Sequence, residues 1–221
     1  MFLSDFNIQP CQGCRTCFDK GEKLCPLKDD LLKLKEYLND SDIIVAASPV
    51  YVEDVNGTMK NWIDRMAFVS HRPEYFYKSA FIMATSGVGS TNHALITMKT
   101  ALRTWGFTIF GQKKIKLGDL TETKTINKLY TDKICQITNK IQKSYRSKKI
   151  SYPGFLSLLT FKIQQLYYQQ QGNKKSLDYK YWQNNGWLNN HCYYYNIKVS
   201  VSLKVFLARI TGTLIARIML K

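Results

Sequence analysis

The sequence predicts an α/β protein built on a parallel sheet with helices on both faces. Three observations predict it. Short apolar runs alternate with helix-spaced stripes over the first 120 residues. The runs Asp42-Ile-Ile-Val-Ala-Ala-Ser48 and Ala80-Phe-Ile-Met-Ala84 are continuously apolar, as strands covered on both faces must be. Each run is followed by a polar or glycine-containing exit loop, the pattern of βα connections.

Taken in order, Phe2 to Ile8 reads as a short strand, followed by a cysteine-rich loop. Leu31, Leu32, Leu34 and Leu38 form a helical stripe, with Asp29 and Asp30 at the end where the helix dipole favours acids. Pro49 stops the strand that begins after Asp42. Thr58 to Val69 carries Met59, Trp62, Ile63 and Met66 on one helical side. The strand through Ala84 exits at Ser86-Gly87-Val88-Gly89. Asn92 to Trp105 is a helix, Phe107 to Leu117 contains the last strand, and Thr121 to Lys148 is a long polar helix. In such sheets ligands bind outside the carboxyl ends of the strands. The cysteine loop, Ser48-Pro49-Val50-Tyr51 and Ser86–Gly89 are therefore expected on one edge.

After Ser151 the pattern changes to helices at Phe155–Gln171 and Leu177–Asn184. The final stretch, Ile197 to Lys221, is apolar but interrupted by Lys204, Arg209 and Arg217. That many charges disfavour a membrane span and favour an amphipathic helix lying on the domain, a partner or a membrane surface. The expected division is residues 1–150 as the α/β domain and 151–221 as a helical, basic extension. The net charge of +16 is unevenly spread, because residues 151–221 hold nine basic side chains and one acidic. A basic face attracts nucleic acid, anionic lipid or acidic protein. No nucleic-acid motif accompanies it, so no nucleic-acid partner is expected.

Cys11, Cys14, Cys17 and Cys25-Pro26 follow the spacing C-x2-C-x2-C-x7-C-P. Four thiolates so close in sequence can hold one inorganic centre. Two-residue gaps with a closing Cys-Pro suit an iron–sulfur cube, a [4Fe–4S] cluster. Zinc takes four thiolates too, more often as two separated C-x2-C pairs, and four ordinary loop thiols are the plain alternative. Cys135 and Cys192 lie apart and carry no assigned role. Clustered cysteines behind a start, Met1 to Asp5, that is neither basic nor long and apolar argue for a reducing, cytoplasmic setting. His71, His93 and His191 are isolated and read as surface or helix-end residues. Asp64 and Arg65 read as local pairing or capping groups.

Ile8-Gln-Pro-Cys11-Gln-Gly-Cys14-Arg-Thr-Cys17, Cys25-Pro-Leu-Lys-Asp29-Asp30, Ser48-Pro49-Val50-Tyr51 and Gly57-Thr-Met-Lys60-Asn-Trp-Ile-Asp64-Arg65 occur in this order. Together they resemble the flavodoxin-fold NAD(P)H-dependent FMN reductases, and within them the iron–sulfur flavoprotein branch, from about Phe2 to Leu117. Asp178 to Trp182 and Gly186-Trp187 look like the C-terminal extension of bacterial members. The resemblance implies a flavodoxin-like three-layer sheet and FMN as cofactor. It implies an isoalloxazine ring flanked by Ser48, Pro49, Val50 and Tyr51 and by Ser86, Gly87, Val88 and Gly89. It implies NAD(P)H or a ferredoxin-type carrier as redox partner, in a homo-oligomer. Relative to the family, the usual first strand, phosphate-holding loop and helix are missing. The expectation is therefore a fragment with weak FMN affinity. The rival expectations are an electron carrier without flavin and a basic module that binds a membrane surface or an acidic partner.

Overall fold

β-branched and small apolar residues after Asp42 make β1 (Ile43–Tyr51), which pairs in parallel with β3 (Ser79–Ser86), from Ile43 opposite Ser79 to Pro49 opposite Thr85. In turn β3 pairs in parallel with β4 (Thr108–Lys116). A two-residue strand, β2 (Asp54–Val55), turns back antiparallel on the end of β1, giving the order β2-β1-β3-β4. The computed structural model describes residues 1–119, 122–147 and 152–220.

Before the sheet come a single turn, α1 (Thr16–Asp19), and α2 (Leu31–Asp40), which buries Leu31, Leu34 and Leu38. Asn56 caps α3 (Gly57–Arg65) by accepting the Met59 N–H at 3.1 Å. The helical stripe expected to Val69 ends earlier, and a 3₁₀ turn at Ala67–Ser70 completes it. Next, α4 (Asn92–Thr104) buries Ala94, Leu95, Met98, Ala101 and Leu102. These side chains join Ala80, Ile82 and Ala84 in one core, with Trp62 and Trp105 edge to face at 5.1 Å. Phe81 points from the opposite face toward α5 (Thr123–Arg146), whose Lys140 ammonium stands 5.8 Å from its ring. Helices thus stand on both faces, but the second is only partly covered: α5 buries only Ile137 among its described residues, and Val45 and Ala47 of β1 are exposed, so the apolar run after Asp42 is not covered on both sides as its composition predicts.

The segment Phe2–Ile8 departs from expectation. It forms a 3₁₀ turn at Leu3–Asp5 and no ladder. Its Asn7 N–H donates to Asp30 at 2.8 Å, and the Gln9 N–H just beyond it to Asp29 at 2.9 Å. Met1 to Ser4 instead wall a groove of about 630 Å³ along the outer side of β1. Among the described residues, Ile43 to Pro49 have no strand on that side, and the buried Trp62 Nε1 facing the groove has no acceptor.

The C-terminal helices are α6 (Phe155–Gln170), α7 (Leu177–Asn184) and α8 (Leu203–Met219). They form a second, aromatic core from Phe161, Tyr168, Trp182, Trp187 and Tyr195, which also takes in Phe76. At Gly212 of α8 a Cβ would come within 3.0 Å of the Lys162 stem, so a bare backbone permits the close crossing of α6 and α8. Lys162 is itself buried, donates to Gln165 Oε1 at 2.9 Å, and is pushed down to about 8 by burial and by Arg209. The expected boundary between residues 150 and 151 falls outside the described residues. The seam between the two cores is polar: Arg72 and His71 both bond Asp178, Trp182 Nε1 donates to the His71 carbonyl at 2.8 Å, and Tyr181 donates to the Pro73 carbonyl at 2.7 Å. His71 is therefore part of this seam and not the isolated side chain its sequence context implies.

Candidate functional site

The parallel pairing of β1 and β3 sets their exit loops side by side. Ser48 is buried in the C-terminal half of β1, opposite Ala84; its hydroxyl donates to the Pro49 carbonyl at 2.8 Å and accepts the Asn56 N–H at 3.1 Å. One serine thus ties the C-terminal part of β1 to the cap of α3. Ser86, also buried, donates to the Gly89 carbonyl at 2.9 Å and closes the loop after β3. Gly118 N–H donates to the Gly87 carbonyl at 3.1 Å, so the end of β4 braces the same edge. A Cβ on Gly87 would meet the Gly118 carbonyl oxygen at 3.0 Å, whereas one on Gly89 would meet nothing within 4 Å. Gly87 is therefore needed for this backbone contact, a reason separate from ligand approach.

Tyr51, Val52 and Val88 stand on this edge with 66%, 100% and 81% of their surface exposed. Large apolar side chains left bare beside two buried, hydrogen-bonded serines make a surface that a flat aromatic group can cover. Val52 and Glu53 form the two-residue turn between β1 and β2, both at positive φ (50° and 64°). That is the geometry of a type I′ turn, which prefers Asn-Gly, and a β-branched valine there is strained. Replacing Val52-Glu53 by Asn-Gly is expected to raise stability by about 1 kcal/mol, measured by urea denaturation. An unchanged or lowered midpoint would show that the turn carries no such strain.

The cysteines make a second centre. Cys11, Cys14, Cys17 and Cys25 all line one small cavity of about 80 Å³, with Phe18, Leu31 and Phe68 as its apolar walls. Left-handed backbone at Gly13 (φ 66°) and Arg15 (φ 61°) curls the loop around it. The loop is held from below by α3. Asn61 donates to the Ile8 carbonyl at 2.8 Å, and Arg65 to the Gln9 carbonyl at 2.7 Å. Arg65 is buried, contacts Cys25 Sγ at 3.9 Å, and is paired with Asp29 at 2.5 Å. The local role expected of Asp64 holds, since it pairs with Lys60 at 2.6 Å, but Arg65 reaches across 36 residues to Asp29. Burial alone would raise the Asp29 carboxyl. Hydrogen bonds from Arg65 and from the Gln9 and Leu31 N–H groups outweigh it and hold the carboxyl below its usual range. The Thr16 side chain lowers the Cys14 thiol, while burial, followed by the neighbouring Cys25, raises that of Cys17.

The two centres do not share a pocket: none of Ser48–Tyr51 or Ser86–Gly89 lines the cysteine cavity. They are joined by α3, nine residues and about 13 Å long, capped at one end by the residue that holds Ser48 and clamping the cysteine loop at the other. Among the described residues no three His, Cys, Asp or Glu side chains form a group that could hold a single metal ion. Sequence reading misses Arg65, Asp29, Asn56 and Asn61 as site builders. The step Asp29-Asp30 was visible as a helix start and as part of the motif that follows Cys25, without a partner for either carboxylate.

A parallel sheet flanked by helices, with a bare apolar edge at its strand ends and a thiol-lined loop at the far end of α3, is the frame of a flavodoxin-like oxidoreductase. The comparisons agree. The family model for NADPH-dependent FMN reductase matches residues 1–119, and the chain belongs to that family. An iron-sulfur flavoprotein of Archaeoglobus fulgidus is 30% identical over 187 residues, covering 84% of this chain and 83% of that protein. An iron-sulfur flavoprotein of Methanosarcina thermophila is 29% identical over 92 residues, 42% of this chain and 47% of that one. Among solved structures, a flavone reductase matches with a TM-score of 0.51 at 14% identity, over 70% of this chain and 54% of that chain; this likeness supports the fold alone.

Proposed function

We propose that this oxidoreductase passes electrons between FMN, seated against Ser48, Pro49, Val50, Tyr51, Ser86, Gly87, Val88 and Gly89, and a four-thiolate iron–sulfur cluster at Cys11, Cys14, Cys17 and Cys25. The observation that carries the reading is the cysteine cavity. All four thiols of the motif border it, and a buried arginine stands at one of them. The residues fit a cluster in kind and number. A cube takes one thiolate at each of four irons, so its ligands border a cavity and do not converge on a point, as zinc would require. Bound flavin supplies two-electron hydride chemistry with a nicotinamide, and a cluster supplies single-electron transfer.

The chain's own part is positional. Ser48 and Asn56 fix the course of the C-terminal part of β1, Ser86 that of the loop after β3, and the exposed Tyr51, Val52 and Val88 offer apolar cover for a ring and exclude water from it. Arg65 offsets negative charge at Cys25 and anchors the loop. No side chain is assigned as acid or base. The proposed donor is a nicotinamide or a ferredoxin-type carrier.

Anaerobic purification followed by visible absorbance, iron and acid-labile sulfide analysis tests the reading. Two flavin bands together with a brown shoulder and stoichiometric sulfide are expected. Brown protein that takes up no FMN on titration would favour an electron carrier without flavin, the alternative consistent with the unpaired outer edge of β1. Zinc without sulfide would remove the cluster from the proposal.

A further inference from the structure

The helix α8 is amphipathic in an unusual sense, with apolar residues on both of its sides. Val205, Ala208, Gly212 and Ala216 are buried against the rest of the C-terminal core. At 100° per residue, Leu203, Phe206, Leu207, Ile210, Leu214 and Ile218 fall together on the opposite side. All six are exposed, Leu203 and Ile218 by about three-quarters. The stripe runs roughly 23 Å along the helix without a hydrogen-bonding side chain except Arg217. Singly exposed leucines are ordinary, but a continuous stripe of this length marks a contact surface.

The charges around the stripe say what covers it. Lys204 borders it on one side and Arg209 on the other, while Arg217 lies within it. Lys204 and Arg209 donate to backbone carbonyls of Pro153 and Asn190 at 3.0 Å each, and none of the three has a carboxylate partner among the described residues. The only acid in residues 151–221 is Asp178, which is buried and turned inward to Arg72 and His71. The outer surface of this region therefore presents cations without anions. Two copies facing each other through this stripe would bring like charges together. Meanwhile, no helix among the described residues is long and apolar enough to cross a membrane.

We propose that α8 docks flat on an anionic lipid surface, its apolar stripe entering the boundary between headgroups and acyl chains while the exposed Lys204 and Arg217 engage lipid phosphates. Aliphatic side chains bordered by basic ones are the composition of an interfacial helix. Binding of this kind combines buried apolar area with attraction to acidic headgroups, and weakens with salt.

Co-sedimentation of the full chain with vesicles decides the matter. Vesicles of phosphatidylcholine with about one-third phosphatidylserine, a mixture with a negative surface, are compared with pure phosphatidylcholine at low and high salt. The chain is expected to sediment with the anionic vesicles, to do so less at high salt, and to stay in solution with the neutral ones. Lys204→Gln/Arg217→Gln should weaken anionic binding roughly 25-fold, about fivefold for each cation. Leu207→Glu/Leu214→Glu should abolish it; both leucines are exposed, and an unchanged far-ultraviolet spectrum verifies the fold. Equal sedimentation with both vesicle types, or none with either, overturns the proposal. So does vesicle-free self-association that the leucine pair removes, which would make the stripe an interface between copies, or binding to polyglutamate in place of vesicles, which would make it a site for acidic protein.

Discussion

Cys14→Ser and Cys25→Ser, each purified anaerobically, are expected to lose bound iron and sulfide, while Cys135→Ser keeps both. The contrast follows from where the thiols stand. Cys14 and Cys25 border the 80 Å³ cavity, whereas Cys135 lies exposed on α5. Cys14 lies on an exposed loop, and its hydrogen bond with Thr16 at 3.3 Å already favours the thiolate, the form that ligates. A serine there disturbs no packing, so the metal-free protein should melt as the parent does. Loss of colour at an unchanged metal-free melting temperature then reports lost ligation and not lost fold. Cys25→Ser acts at the thiol that Arg65 touches. Retention of full iron and sulfide in both variants would remove these cysteines from the centre.

The fold was readable because it rests on local patterns. The runs Ile43 to Ala47 and Ala80 to Ala84 are continuously apolar and form strands, though Val45 stays about half exposed, and the stripe of Leu31, Leu34 and Leu38 has the helical period. The exit loop at Gly87 was readable as punctuation, whereas Pro49 does not stop β1, which runs on to Tyr51 with Pro49 opposite Thr85. The segment Phe2–Ile8 misled because its residues suit a strand while the Asn7 amide, and that of Gln9 just after it, are claimed by Asp30 and Asp29 from 23 and 20 residues away. No window of sequence contains that competition. The same holds for the site. The cysteines announce themselves by spacing, but the groups that position them, Asn61 and Arg65, reach them only through tertiary packing. Asp178, the lone acid of the C-terminal region, could have been noticed for its rarity. That its partners would be Arg72 and His71, more than 100 residues earlier, could not.

Arg65→Met is expected to cost about 3–5 kcal/mol of stability, the loss typical when one partner of a buried ion pair is removed. Arg65 and Asp29 are both almost fully buried as side chains, and the guanidinium also holds the Gln9 carbonyl. Removing it leaves a buried carboxylate without its counter-charge and frees the start of the cysteine loop, so iron incorporation should fall as well. Asp29→Asn should also destabilise, because it leaves the buried guanidinium without its counter-charge and only one of its two side-chain atoms can still accept a hydrogen bond. The pair also sets an acid limit. The Asp29 carboxyl titrates lower in the folded chain than in the unfolded one, where carboxylates protonate near pH 4. Its contribution is therefore complete above about pH 4 and disappears as the pH falls through the lower, folded value. Urea denaturation of the metal-free chain across that range should show a fall in stability that is steeper in the parent than in Asp29→Asn. Parallel curves would mean that the pair adds nothing to acid sensitivity. An Arg65→Met chain as stable as the parent would mean that the cysteine loop is held by Asn61 and the carboxylates alone.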